Sequence, residues 1–276
     1  RNEKDREAIE RNVAYAYRLS NQPQEAEKIL NQLVAKNPNK ANLGERADFY
    51  NEYHRIDEEL ADLDSILKID PKASFSIMRK ILLLAFLGKK EEALALYENS
   101  YAKPPLSEKG NYNLYISIKA RIFGMVGEPA AGIEIVNKGF DIVDDNSNLD
   151  DRCFLQVQNG QYAEALKSAM ELQRTKGPKH DYSRQLFYCL PWFCSKMLGK
   201  NEDAAAYLDS ALAGFDRSWP QPLVEFLAGK LSESELLNKS EGGSKLTTAH
   251  FYIGLKNLAN GQKDAAQTQF DWVLQK

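Results

Sequence analysis

The 276-residue chain is poor in the side chains that ordinarily carry chemistry, with three Cys and three His. Cys153, Cys189 and Cys194 are odd in number and not spaced like a disulfide scaffold. Cys189 and Cys194 fall five apart on one predicted helix, a poor geometry for bridging. All three read as small core residues, which leaves the redox compartment open. Charge of either sign is not in excess: 36 basic residues face 39 acidic ones, for a net charge of −3. No basic face of the kind nucleic acid requires is present. The longest apolar run, Ile81 to Leu87, is far too short to span a bilayer and predicts a buried helix. No Gly-rich phosphate cradle occurs, and no Ser or Cys sits in a recognisable nucleophile elbow. Neither a catalytic residue nor a cofactor is therefore predicted.

Metal binding has two weak candidates. His54 with Asp57 and Glu58 places ligand types on one helical turn, but His54 falls on a predicted turn whose backbone already accounts for it. The run Asp144-Asp145-Asn146-Ser147-Asn148 resembles the start of a calcium loop. Such a loop needs Gly at its sixth position and Glu at its twelfth, and Leu149 and Leu155 stand there. It reads instead as a polar loop with helix caps, and no metal site is predicted. His250, before Phe251, reads as a packed or hydrogen-bonded histidine.

What the chain does have is recurrence. From Thr248 to Phe270 an amphipathic helix, a turn at Gly261 and a second helix follow one another, with Gly254 and Ala266 where the two helices must approach closely. Aligning on Ala266 finds Ala26, Glu59, Ala93, Gly132, Ala165 and Ala204, at successive spacings of 33, 34, 39, 33, 39 and 62. Five residues before each mark lie Asn21, His54, Gly88, Gly127, Gly160, Gly199 and Gly261. Gly closes a helix in the left-handed conformation without steric cost, and Asn and His are among the residues enriched there. Pro38, Pro71 and Pro105 close the first three units. Glu59 departs from the small-residue pattern and marks the second unit as the least regular. Pro191 predicts either a kink in the sixth unit's first helix or a helix that begins near it.

This pattern resembles the tetratricopeptide repeat, a helix-turn-helix unit of about 34 residues. The resemblance implies an all-α, right-handed superhelix of about seven helix pairs in a single domain. The units fall at about 7–40, 40–73, 74–107, 113–145, 146–179, 185–217 and 247–276, with an insertion at 218–245. In the insertion, Pro222 suits the first turn of a short helix and Gly229 its end. Ser232 with Glu235 is a capping box opening another. Trp219-Pro220-Gln221-Pro222-Leu223, with Leu227-Ala228-Gly229-Lys230-Leu231-Ser232-Glu233 after it, is similar to the insertion before the last repeat of bacterial proteins of this kind, namely envelope lipoproteins and regions attached to transglutaminase-like domains.

The resemblance also implies a function: the concave face, lined by the first helix of each pair, holds a protein or peptide. By the repeat register its lining includes Arg11, Tyr15, Arg18, Asp48, Asn51, Met78, Ser117, Arg121 and Phe154. Arg11 and Tyr15 stand where chaperone-binding members carry Lys and Asn, which disfavours capture of a chaperone's carboxylate tail. The expectation is a non-catalytic scaffold or adaptor of bacterial origin, in the envelope or the cytoplasm. The alternative is a helical accessory region of a larger enzyme whose active site lies elsewhere; the chain opens at Arg1 without a Met and favours neither. Phe270, Trp272, Val273 and Leu274 on the last helix need a cover. The short inserted helices or a second copy would supply it, so a homodimer through the C-terminal helix or the Trp219 insertion is expected.

Overall fold

A computed structural model describes residues 3–20, 22–101, 109–143, 148–176, 189–214, 219–240 and 243–275. Asn21, Pro105, Asp144 to Ser147 and His180 lie outside the described residues. Among the described residues sixteen helices follow in sequential pairs: α1 (Glu3–Leu19) and α2 (Pro23–Lys36), α3 (Lys40–Glu52) and α4 (Ile56–Ile69), α5 (Ser74–Phe86) and α6 (Lys90–Ser100), α7 (Lys109–Met125) and α8 (Pro129–Val143). They continue with α9 (Leu149–Gln158) and α10 (Tyr162–Lys176), α11 (Cys189–Met197) and α12 (Asn201–Gly214), α13 (Gln221–Leu227) and α14 (Glu233–Lys239), and α15 (Gly243–Ala259) and α16 (Lys263–Gln275). No strand occurs among the described residues. Each helix packs on its pair mate, and the pairs join in series, α2 on α3, α4 on α5, α8 on α9 and α10 on α11. The first helices also touch one another, α5 on α7 and α7 on α9.

The turns inside the pairs have one geometry. Gly88, Gly127, Gly160, Gly199 and Gly261 all have positive φ, as does His54 with φ 53°. At Gly88 this bend lets the Lys89 N–H reach back to the Leu84 carbonyl at 2.9 Å, and at His54 the Arg55 N–H reaches Tyr50 in the same way at 2.8 Å. The orphan carbonyls of the first helix are satisfied before the second begins.

Close approach explains the small marks. Ala26, Ala93, Ala165, Ala204 and Ala266 are all buried. At Gly132 an added Cβ would stand 2.8 Å from the Ala120 carbonyl oxygen, so the helices of that pair touch backbone to backbone. Gly254 plays a related part, lying beneath the Phe270 ring, which an added Cβ would meet at 2.5 Å. Around these points Ala14, Leu30, Ala47, Tyr50, Leu63 and Ile66 are buried, and so are all three cysteines. Burial pushes the Cys153 and Cys194 thiols up to about 12, and Cys189 higher still, so they stay protonated at neutral pH.

Glu59 is the irregular mark, and it is also buried, at 1% exposure. Its carboxylate receives Arg79 from α5 and the Asn51 amide at 3.3 Å. Arg79 further bonds Asp48 and, at 2.7 Å, the Ala47 carbonyl. A charged link between two units replaces a small-residue contact within one.

The run Ile81 to Leu87 departs from expectation. Ile81, Leu84 and Ala85 are buried, but Phe86 and Leu87 are 47% and 39% exposed. A helix buried on one side only turns alternate thirds of any apolar run outward. In the insertion, Pro222 lies in the first turn of α13 and Gly229 has φ 76°. The capping box forms: Glu235 accepts the Ser232 N–H at 2.7 Å and returns its own N–H to the Ser232 hydroxyl at 3.3 Å. These short helices bridge α12 and α15, and Trp219 packs half-buried on the same core. The described part of α11 opens at Cys189, with Pro191 in its first turn.

Removing Arg79 leaves a carboxylate buried without its cation. Arg79→Met is expected to destabilise the chain by about 3–5 kcal/mol in urea unfolding. Glu59→Ala combined with Arg79→Leu, which restores the small mark, should recover most of that loss.

Candidate functional site

The face considered is that of the first helices α1, α3, α5, α7 and α9. Nine of its residues follow from the repeat register, and the structure gathers six of them into small polar groups. In α1, Arg11 donates to Asn42 Oδ1 at 2.7 Å. Asn42 belongs to a buried cluster around Glu7, whose carboxylate accepts the Asn37 amide at 2.9 Å and the Asn39 amide at 3.0 Å. The Asn37 bond chiefly, then Asn39, Asn42 and the nearby Arg11 charge, holds the Glu7 carboxyl below its ordinary range against the effect of burial. Two turns on, Arg18 Nε bonds Glu52 of α3 at 2.7 Å, and its guanidinium lies 5.6 Å from the centre of the Tyr15 ring. Tyr15 itself is 51% exposed.

In the second unit Asp48 and Asn51 flank the Arg79–Glu59 pair already described. In the fourth, Ser117 and Arg121 converge on one carboxylate, Asp151 of α9, with Arg121 Nε at 2.7 Å. Met78 is half-buried against the core of its own unit, and Phe154 is exposed on α9. Thus Arg11, Arg18, Asp48, Asn51, Ser117 and Arg121 join neighbouring helices within the chain. Tyr15 and Phe154 turn outward.

The register missed a second set of outward residues. Phe75 is 64% exposed, Phe86 47%, Leu114 44% and Met125 43%. A signal for them was present: adding the repeat spacings of 33, 34 and 39 to Leu19 lands on Glu52, Phe86 and Met125. Phe75 and Leu114 are likewise one repeat step of 39 apart.

The two described histidines have local explanations. His54 is exposed on its turn. His250 shares a 2.6 Å hydrogen bond between Nδ1 and Gln269 and stacks on Trp272 with ring centres 3.6 Å apart. Among the described residues no three His, Cys, Asp or Glu side chains are placed to hold a metal ion. No described helix is long and apolar enough to cross a membrane.

Asp151 is a buried carboxylate of this face. Burial raises its pKa, and Arg121 and the Ser117 hydroxyl only partly oppose that. A folded pKa above the unfolded value means that the folded state holds its proton more tightly, so this group's contribution declines as pH rises from about 4 through the raised value. Asp151→Asn should therefore gain stability relative to the parent between pH 4 and 7 in urea unfolding. A relative loss over that range would show that the ion pair outweighs burial.

No family model matches the sequence, and no curated protein matches it. Solved structures do. A tetratricopeptide repeat protein from Parabacteroides merdae is 15% identical, with a TM-score of 0.53 over 98% of this chain and 92% of its own. PilW, described as a widely conserved type IV pilus biogenesis factor, is 16% identical, with a TM-score of 0.52 over 81% of this chain and 99% of its own. With helices in sequential pairs, a left-handed residue at each described intra-pair turn and small residues at the crossings, the chain has the tetratricopeptide-repeat fold.

Proposed function

We propose that residues 1–276 form a single solenoid that acts as a non-catalytic scaffold, binding a protein or peptide in the groove lined by its first helices. The observation carrying this is the row of large apolar side chains left exposed at repeating register positions, Phe75 with Leu114 and Phe86 with Met125. Exposed apolar surface that recurs with the fold is a mark of an interaction site, whereas scattered exposed residues are ordinary. Tyr15 and Phe154 extend the row as aromatic anchors of the kind that dominate binding energies. The polar residues of the same face serve a second purpose, setting the angle between units and so the curvature of the groove. The placement of the described histidines and the cysteines in turns and cores favours binding over catalysis.

A homodimer is the second reading, favoured by the last helix. α16 packs chiefly on α15 and leaves Leu274 64% exposed. A monomer in light scattering at high micromolar concentration would end it.

The leading reading is tested with peptides selected from a random displayed library on the immobilised chain. Their affinity should fall about tenfold or more for Tyr15→Ala and Phe75→Ser, the loss of one anchor worth roughly 1.4 kcal/mol. The melting temperature should stay within about 2 °C of the parent. Selected peptides that bind both variants undiminished would overturn the groove as the binding surface.

A further inference from the structure

We infer that the groove between α5 and α7 receives an amphipathic α-helix with an uncharged apolar seam. The inference rests on reading the first-helix face as the binding surface, and adds the shape and chemistry of what it holds.

The spacing of the exposed residues carries the argument. On α5, Phe75, Arg79, Leu82 and Phe86 follow at steps of four, three and four. This is the spacing of a coiled-coil seam, and on a helix it draws one stripe along one side. The stripe is turned away from the core: Phe75 and Phe86 are exposed and Leu82 is half-buried, whereas Ile77, Ile81, Leu84 and Ala85 fill the other side. α7 packs beside α5, and at the matching steps it carries Leu114, Arg121 and Met125, while Ile118 between them is buried against the α5 core. Its two ends, Leu114 and Met125, are exposed. Eleven residues separate the ends of each stripe, about 16 Å of helix. The α5 stripe and the exposed ends of α7 beside it form a cradle whose complement is a third helix with apolar residues at the same steps. An extended strand, with its period of two, would match only some of these positions.

Charge narrows the occupant further. Neither α5 nor α7 contains an Asp or Glu. Their central cations are already taken within the chain. Arg79 bonds Asp48 and Glu59, Lys80 bonds Asp64, Arg121 bonds Asp151, and Lys119 lies 3.7 Å from Glu98. Arg79 is the one seam position on α5 that is charged, and those bonds draw it aside to 13% exposure. A charge carried into this groove would lose water and find each of these counter-charges already engaged. An apolar seam meets no such penalty.

The test uses a fluorescent peptide of about 21 residues, six turns, with Leu at alternating four- and three-residue steps and Ala, Gln, Lys and Glu elsewhere. It is held at nanomolar concentration, so that it does not pair with itself, and titrated with the full chain by anisotropy. A second peptide differs only by one central Pro on its polar side, which blocks the helix. The helix-forming peptide should bind at least about tenfold more tightly than the Pro peptide. Phe75→Ser with Phe86→Ser should abolish that difference, and Ile142→Ser, exposed on the second helix α8, should leave it intact. Equal binding of the two peptides to the parent, or an undiminished preference in the double variant, would overturn the inference. The Pro comparison is made on the unaltered chain, so it decides even if a variant folds poorly. Displayed peptides that need Phe75 but lack the helical spacing would sink the helix and keep the groove. Displayed peptides indifferent to Phe75 would sink both.

Discussion

The structure depends on how closely two helices can approach. A helix with one apolar side needs a neighbour, and the distance at which that neighbour sits is set by the residue at the crossing. Ala at most crossings, and Gly132 with no room for a methyl group against the Ala120 carbonyl, bring each pair into direct contact. The turn five residues earlier must then reverse the chain in very little space, which a left-handed residue does. The pair so made still has an open side, and only the next pair can cover it. Serial stacking follows from these two local facts.

Between pairs the chain uses a different chemistry at its two ends. In the first half, carboxylates and cations join successive units beside the apolar contacts: Arg18 to Glu52, and Arg79 to Asp48 and Glu59. In the second half one apolar cluster, from Cys189 and Trp192 through Leu223 and Phe226 to Tyr252 and Ile253, joins the last pairs to the inserted helices. Apolar contacts tolerate small rotations, whereas a bidentate or triply bonded Arg fixes an angle. The residues of the charged junctions are held by one another before any ligand arrives.

This changes what the first-helix face offers. Polar residues expected to greet a partner, such as Arg11 and Arg121, already bond Asn42 and Asp151. What stays exposed there is largely apolar, on α5 and α7 and at Tyr15, Leu19 and Phe154. The face is mixed: Tyr15 and Leu19 are exposed on α1 beside the bonded Arg11 and Arg18, and Phe75, Phe86, Leu114 and Met125 are exposed on α5 and α7.

Much of the fold was legible in the chain because it is local. Turn residues such as Gly88 and His54, the capping box of Ser232 and Glu235, and the buried marks at Ala26 and Ala93 each need only their near neighbours in sequence to act. The site was legible in part. Counting by repeat length placed Tyr15 and Phe154 on an exposed face but could not separate them from Arg11, Arg18 or Arg121, which occupy the same face and turn to other units. Nor could an apolar run announce which of its residues face outward, and Phe86 was hidden there. Sequence alone determined where helices start, turn and cross, since those choices rest on backbone geometry within a few residues. Only tertiary structure decided which charges are satisfied and which apolar side chains stay bare. Those outcomes depend on partners some thirty residues away, brought to hand by the stacking itself.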